Sequence, residues 1–191
     1  KALVERVRAA EQDKAGGTKL AEAVARYYSK LLAYKDEYEV ARLYTDGAFL
    51  KKIEDMFEGD YKVNFHLAPP MLARLDPQTG EPRKIQFGPW MMRGFKVLAK
   101  LKGLRGTAFD IFGRTEERRM ERALIGEYEK AIDALLAGLT KENHGLAIEV
   151  ASIPELIRGY GHIKAKSVET ARKKQAEILQ RYRAIPIRAA A

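Results

Sequence analysis

Residues 84–124 read KIQFGPWMMRGFKVLAKLKGLRGTAFDIFGRTEERRMERAL, and this stretch decides the fold class. It holds the single tryptophan, Trp90, and an apolar run through Met91, Phe95, Val97, Leu98 and Leu101. Gly88-Pro89-Trp90 and Phe112-Gly113 bracket that run as corners. Gly103 and Gly106 end the helix expected over 90–101, and Phe109, Ile111 and Phe112 are expected to return the chain to the core as a hydrophobic anchor. Thr115 then stands as the cap of a long charged helix, with Glu116 and Glu117 favourably placed in its first turn. The expectation is a mainly α, multi-helix fold packed around the Trp90 region.

Upstream of the tryptophan lies the one segment with strand character. In residues 61–67, YKVNFHL, Val63, Phe65 and Leu67 alternate with Lys62, Asn64 and His66. Ala68-Pro69-Pro70 stops it, residues 71–75 are ambiguous, and Asp76-Pro77-Gln78-Thr79-Gly80 is turn chemistry. Residues 84–87 would return as the second strand of one small antiparallel β-hairpin, which is too small to stand without helices beneath it.

The remaining chain reads as helices. Leu3, Val4 and Val7 mark a short one over 1–12, closed by Gly16-Gly17. Thr18 sits where a cap belongs before Leu20, Val24, Tyr27, Tyr28, Leu31 and Leu32. The pattern resumes from Asp36 and runs to Phe57, interrupted at Asp46-Gly47 by either a break between two helices or a tolerated defect in one. In the long helix after Thr115, Met120, Leu124, Tyr128, Ala131, Ile132, Leu135 and Leu139 form one stripe. A shorter helix spans 142–151, Ser152-Ile153-Pro154-Glu155 has the pattern of a capping box, and a last helix runs over about 163–183. No repeat or low-complexity linker appears, and the 191 residues fit a single domain, read as an excised C-terminal segment of a longer polypeptide.

Composition limits the chemistry. There is no cysteine, so disulfides, thiolate zinc sites and cysteine-held iron-sulfur clusters are excluded within these residues. No apolar run reaches the roughly 20 residues needed to span a bilayer, and a cytoplasmic location is expected. The three histidines, His66, His144 and His162, are isolated from one another in sequence and form no metal motif. Residues 102–107, KGLRGT, lack Walker spacing and read as a helix end and turn. No complete catalytic constellation is present. A small independent enzyme would need His66 or His162 to meet carboxylates in a concave pocket.

The formal net charge is +9, and the basic residues cluster twice. Seven Lys or Arg and no acid lie between Glu81 and Asp110, including Arg93, Lys96, Lys100, Lys102 and Arg105. The tail from Lys164 to Arg188 is the second cluster. A solvated face or a docking surface for an acidic neighbour is the favoured reading, and a basic helical nucleic-acid-binding module is the alternative. Gly159-Tyr160-Gly161-His162 is an aromatic corner where Tyr160 and His162 are the functional candidates, although tight helix packing asks for the same glycines.

Four stretches together, YKDEYEVARLYTDGAF (34–49), NFHLAPPMLARLDPQTGEPRKIQFGPWM (64–91), LRGTAFDIFGRTEERRMERALIGEYE (104–129) and IPELIRGYGHIK (153–164), resemble the C-terminal region of the fused bacterial indolepyruvate ferredoxin oxidoreductases of the 2-oxoacid:ferredoxin oxidoreductase family. The resemblance implies a parent enzyme that oxidatively decarboxylates aryl pyruvates to acyl-CoA and reduces ferredoxin. It implies thiamine diphosphate with magnesium, iron-sulfur clusters and coenzyme A in that parent, none of them on this segment. The implied partners are the upstream catalytic domains of the same polypeptide, ferredoxin, and a second copy in a homo-oligomer. The matching motifs are architectural corners, so no catalytic residue is carried over, and the implied role is that of a non-catalytic accessory domain.

Overall fold

A computed structural model describes residues 1–34, 36–68, 76 and 83–185. Its elements, in chain order, are helices α1 (Ala2–Lys14), α2 (Lys19–Leu32), α3 (Glu37–Thr45) and α4 (Ala48–Glu54), strands β1 (Phe65–Leu67) and β2 (Ile85–Phe87), then α5 (Met91–Lys100), α6 (Glu116–Ala137), α7 (His144–Ala151) and α8 (Gly161–Ala184). Short 3-10 turns follow α5 at Leu101–Leu104 and α7 at Ile153–Leu156. The protein is mainly α with one small antiparallel sheet. Its contacts group into two compact units, one made of Lys1–Tyr34 with Arg114–Ala191 and the other of Lys35–Gly113.

The first unit is a five-helix core. Leu3 and Val7 of α1, Leu20 and Val24 of α2, Leu124, Ile132 and Leu135 of α6, Val150 of α7, and Val168 and Ile178 of α8 are buried together. These positions recur at three and four, and full burial of each such side chain is worth about 1.5–3 kcal/mol. Two tyrosines enter this core with their hydroxyls satisfied. Tyr128 donates to the Ala151 carbonyl at 2.9 Å and Tyr182 to the Leu135 carbonyl at 2.7 Å.

Two expected caps are made differently. Thr18 accepts no amide at the start of α2, and its hydroxyl donates to Glu22 at 2.6 Å. The free amides of Leu20 and Ala21 go instead to the two carboxylate oxygens of Glu11, each at 2.8 Å. The capping box at Ser152–Glu155 does not form. Ser152 has helical dihedrals, its amide extends the end of α7 by bonding Ile148 and Glu149, and the Glu155 side chain pairs with Arg158. Thr115 does cap α6, accepting from the Arg118 amide at 3.3 Å.

The second unit is built on an aromatic cluster. Tyr44 stacks on Phe95 at 5.1 Å, and Phe65 meets Phe95 edge-on at 5.1 Å. Gly47, at φ 90°, separates α3 from α4, so Asp46-Gly47 is a break between two helices. Strand pairing is shorter than the alternating pattern. Phe65, His66 and Leu67 pair with Phe87, Gln86 and Ile85. The next partners would be Gly88 and Pro89, where the chain turns into α5 and proline offers no N–H. The ambiguous residues 71–75, the turn residues 77–80 and the tail beyond 185 lie outside the described residues.

Trp90 is not the centre of packing. It is 63% exposed at the head of α5 and touches Phe87 edge-on at 5.9 Å, while Phe95 is the α5 residue that is buried. The anchor expected at 109–112 is also different. Phe109 and Ile111 are exposed, and of the three aromatics and aliphatics only Phe112 turns inward, edge-on to Tyr38 at 5.4 Å. The segment is held by the carboxylate of Asp110, which accepts the amides of Gly106 and Gly113 at 2.8 Å each. Polar satisfaction, rather than apolar burial, closes this loop.

Candidate docking surface

Helix α5 presents two apolar faces. At 100° per residue, Met91, Phe95 and Leu98 point to one side and pack on α3 and the strands. Trp90, Gly94, Val97 and Leu101 fall on the other side, with Trp90 63%, Val97 60% and Leu101 43% exposed. Arg93 and Lys100 border that outward stripe, Lys96 stands beyond them, and all three are exposed. Among the described residues no carboxylate pairs with these three cations.

The other two residues of the expected basic surface behave differently. Lys102 reaches Glu39 at 3.5 Å, and Arg105 is ion-paired with Asp36. Asp36 is buried, caps α3 by accepting the Glu39 amide at 2.8 Å, and takes the Arg105 guanidinium with its second oxygen. Glu39 is held below the usual carboxylate range by its hydrogen bond to Arg42, helped by Lys102 and opposed by partial burial. A sequence stretch without acids thus acquires acids from α3 once folded. The candidate surface narrows to Arg93, Lys96 and Lys100 beside the Trp90, Val97 and Leu101 stripe, and Lys102 and Arg105 are paired within the second unit. The stripe is legible as period in α5, but residue spacing alone does not say which apolar face is covered.

Tyr160 and His162 belong to the first unit. Both are exposed at the start of α8, with Tyr160 at 76%. Gly159 and Gly161 have φ of 89° and 54°, and a Cβ on Gly159 would stand 2.7 Å from Ile163. Close packing therefore explains Gly159. His66 projects from the outer side of β1 opposite Gln86.

Two cavities in the first unit are lined without His162. One of about 20 Å³ lies beneath Leu124, Tyr128, Ile153 and Val168, and an open groove of about 220 Å³ is lined by Lys19, Glu22, Arg26, Tyr27 and Ser152. Among the described residues no group of three or more His, Cys, Asp or Glu is placed to hold a metal ion.

His144 is not isolated in the fold. Its Nε2–H donates to Glu11 Oε1 at 2.7 Å, and Glu11 is completely buried. Glu11 continues the Leu3–Val7 spacing of α1 by one further step of four, which is the signal that could have marked it. Glu121 is a second buried carboxylate missed within the α6 stripe, and it is neutralised by Arg118 and Lys164. Tyr28 stacks on Tyr128 at 6.1 Å and donates its hydroxyl to Glu129, which raises the Tyr28 pKa. It is an amphipathic core residue whose hydroxyl reaches the edge.

With this arrangement in view, a family model spanning residues 1–177 matches the chain, which therefore belongs to a family of unknown function, DUF6537. Comparison with curated proteins finds no match, and comparison with solved structures finds none.

Proposed function

We propose that the chain is a non-catalytic accessory domain of an indolepyruvate-type 2-oxoacid:ferredoxin oxidoreductase, and that it works by docking. The observation carrying this reading is the outward face of α5, where an exposed tryptophan and two exposed aliphatics are bordered by Arg93 and Lys100, neither paired with a carboxylate among the described residues. Exposed apolar surface of this kind costs solubility and marks interaction sites. Ten of the fourteen large apolar side chains exposed among the described residues fall in the second unit, which concentrates the signal there.

The family part of the proposal rests on the four resembling stretches. Two of them are mechanically joined in the fold. Asp36 and Tyr38 of the first meet Arg105 and Phe112 of the third. These contacts make the first and third stretches depend on each other for their packing.

The test is deletion of this domain from an oxidoreductase whose polypeptide carries it. Turnover of indolepyruvate with coenzyme A is measured with ferredoxin and, separately, with a small one-electron dye as acceptor. The expected result is a stable truncated enzyme that retains thiamine diphosphate and clusters, still reduces the dye, and reduces ferredoxin poorly. Undiminished ferredoxin reduction, or no such activity in the intact polypeptide, would overturn the reading.

A further inference from the structure

The geometry points to the outward face of α5 as a binding site for an acidic protein surface that carries its own apolar ridge. Trp90, Val97 and Leu101 form the seat, and Arg93 and Lys100 form a charged border on one side, with Lys96 further round the helix. This is the anatomy of a protein–protein hot spot, in which a large aromatic anchor and aliphatics are dried out inside a polar rim.

Three other occupants fit less well. A second copy of the chain meeting this face through a two-fold axis would bring Arg93, Lys96 and Lys100 against their own images, and the chain carries a net charge of +9. Nucleic acid would use the cations, but Val97 in the middle of the stripe and Leu101 at its end have no π-face on which a base can stack. An extended peptide added to the strands would leave the exposed apolar stripe uncovered, because that stripe lies on the helix. An acidic protein satisfies both features at once: carboxylates meet the three cations while an apolar ridge covers the stripe.

Within α5 the inward face already has its partners in Phe65 and Tyr44. Val97 and Leu101 are not among the residues of that core, so replacing them separates binding from folding. Val97 is the best probe of this kind, being aliphatic, central and 60% exposed.

Trp90 is the chain's one tryptophan, so its emission reports on the site directly. The 191-residue chain is titrated with three probes. The first is a ferredoxin, whose choice rests on the accessory-domain reading. The second is a designed helix with leucine along one face and glutamate elsewhere, and the third has the same composition with its leucines scattered.

The expected result is a blue shift of Trp90 emission with ferredoxin and with the patterned helix, at micromolar concentrations. Val97→Asp should weaken both by about 30-fold with an unchanged urea midpoint, and Leu101→Asp should do the same. Lys96→Glu with Lys100→Glu should weaken both by about 10-fold and flatten their salt dependence. A shift with the patterned helix alone would support the site and overturn ferredoxin as its partner, which leaves the failure of the two ideas distinguishable. Equal binding of the scattered helix would overturn the inference in favour of bare charge attraction. Duplex DNA binding that is lost with the Lys96 and Lys100 reversal and kept in Val97→Asp would overturn it in favour of nucleic acid. No shift with any probe would overturn it outright.

Discussion

Glu11 and His144 are 133 residues apart in the chain and 2.7 Å apart in the fold. The same carboxylate accepts the amides of Leu20 and Ala21, so one buried side chain starts α2 and ties α1 to α7. A buried carboxylate is costly to desolvate, and here three donors offset that cost.

Removing this acceptor should be severe. Glu11→Ala leaves two helix-start amides and His144 without it, and a loss of about 2–4 kcal/mol is expected in urea unfolding. Glu11→Gln keeps one acceptor oxygen and should lose about 1–2 kcal/mol. Thr18→Ala, at the position where sequence alone places the cap, should change stability by less than about 0.5 kcal/mol.

Acid should weaken the second unit through Glu39. Its folded pKa lies below the ordinary value, so its stabilising contribution is present above about pH 4.3 and is lost as pH falls through the folded pKa. Glu39→Gln should lower stability at neutral pH and flatten the acid limb of an unfolding-versus-pH curve. An acid limb identical to that of the wild type would show that the Arg42 and Lys102 contacts carry no net energy.

Alkali should act on the first unit through Tyr182, whose pKa burial pushes up to about 12. The unfolded phenol ionises near pH 10, so the stabilisation is complete below that value and is lost as pH rises toward the folded pKa. Tyr182→Phe should lose about 1 kcal/mol at neutral pH with the bond to Leu135, and its stability should fall less steeply above pH 10. Thermal melts at pH 7 and near pH 11 separate the two effects.

The two glycines of the Tyr160 corner should respond unequally. Gly159→Ala places a Cβ against Ile163 at a left-handed φ, and about 1–3 kcal/mol should be lost. Gly161 also has positive φ but nothing within 4 Å, so Gly161→Asn should cost less than about 1 kcal/mol. Equal losses in chemical denaturation would mean that backbone conformation, and not the approach to Ile163, sets both.

Periodicity made the helices legible, because an apolar residue every three or four positions has only one regular backbone that puts it on one face. The α6 stripe, the Thr115 cap and the mainly α class could be read in this way. Local composition also marked the Asp46-Gly47 break, although it left open whether the helix would tolerate it.

The sequence by itself therefore determined which segments are helical, which faces are apolar, and that the surface is strongly basic. Only the tertiary structure decided which apolar face each helix covers: Phe95 went inward and Trp90 outward, although both lie in one apolar run. It also decided which charges remain available. Arg105 and Lys102 are matched by Asp36 and Glu39 from more than 60 residues away, as Glu11 is matched by His144. The physical reason is the same in each case. Periodicity and capping are local, whereas burial and charge pairing depend on neighbours that only chain folding brings together.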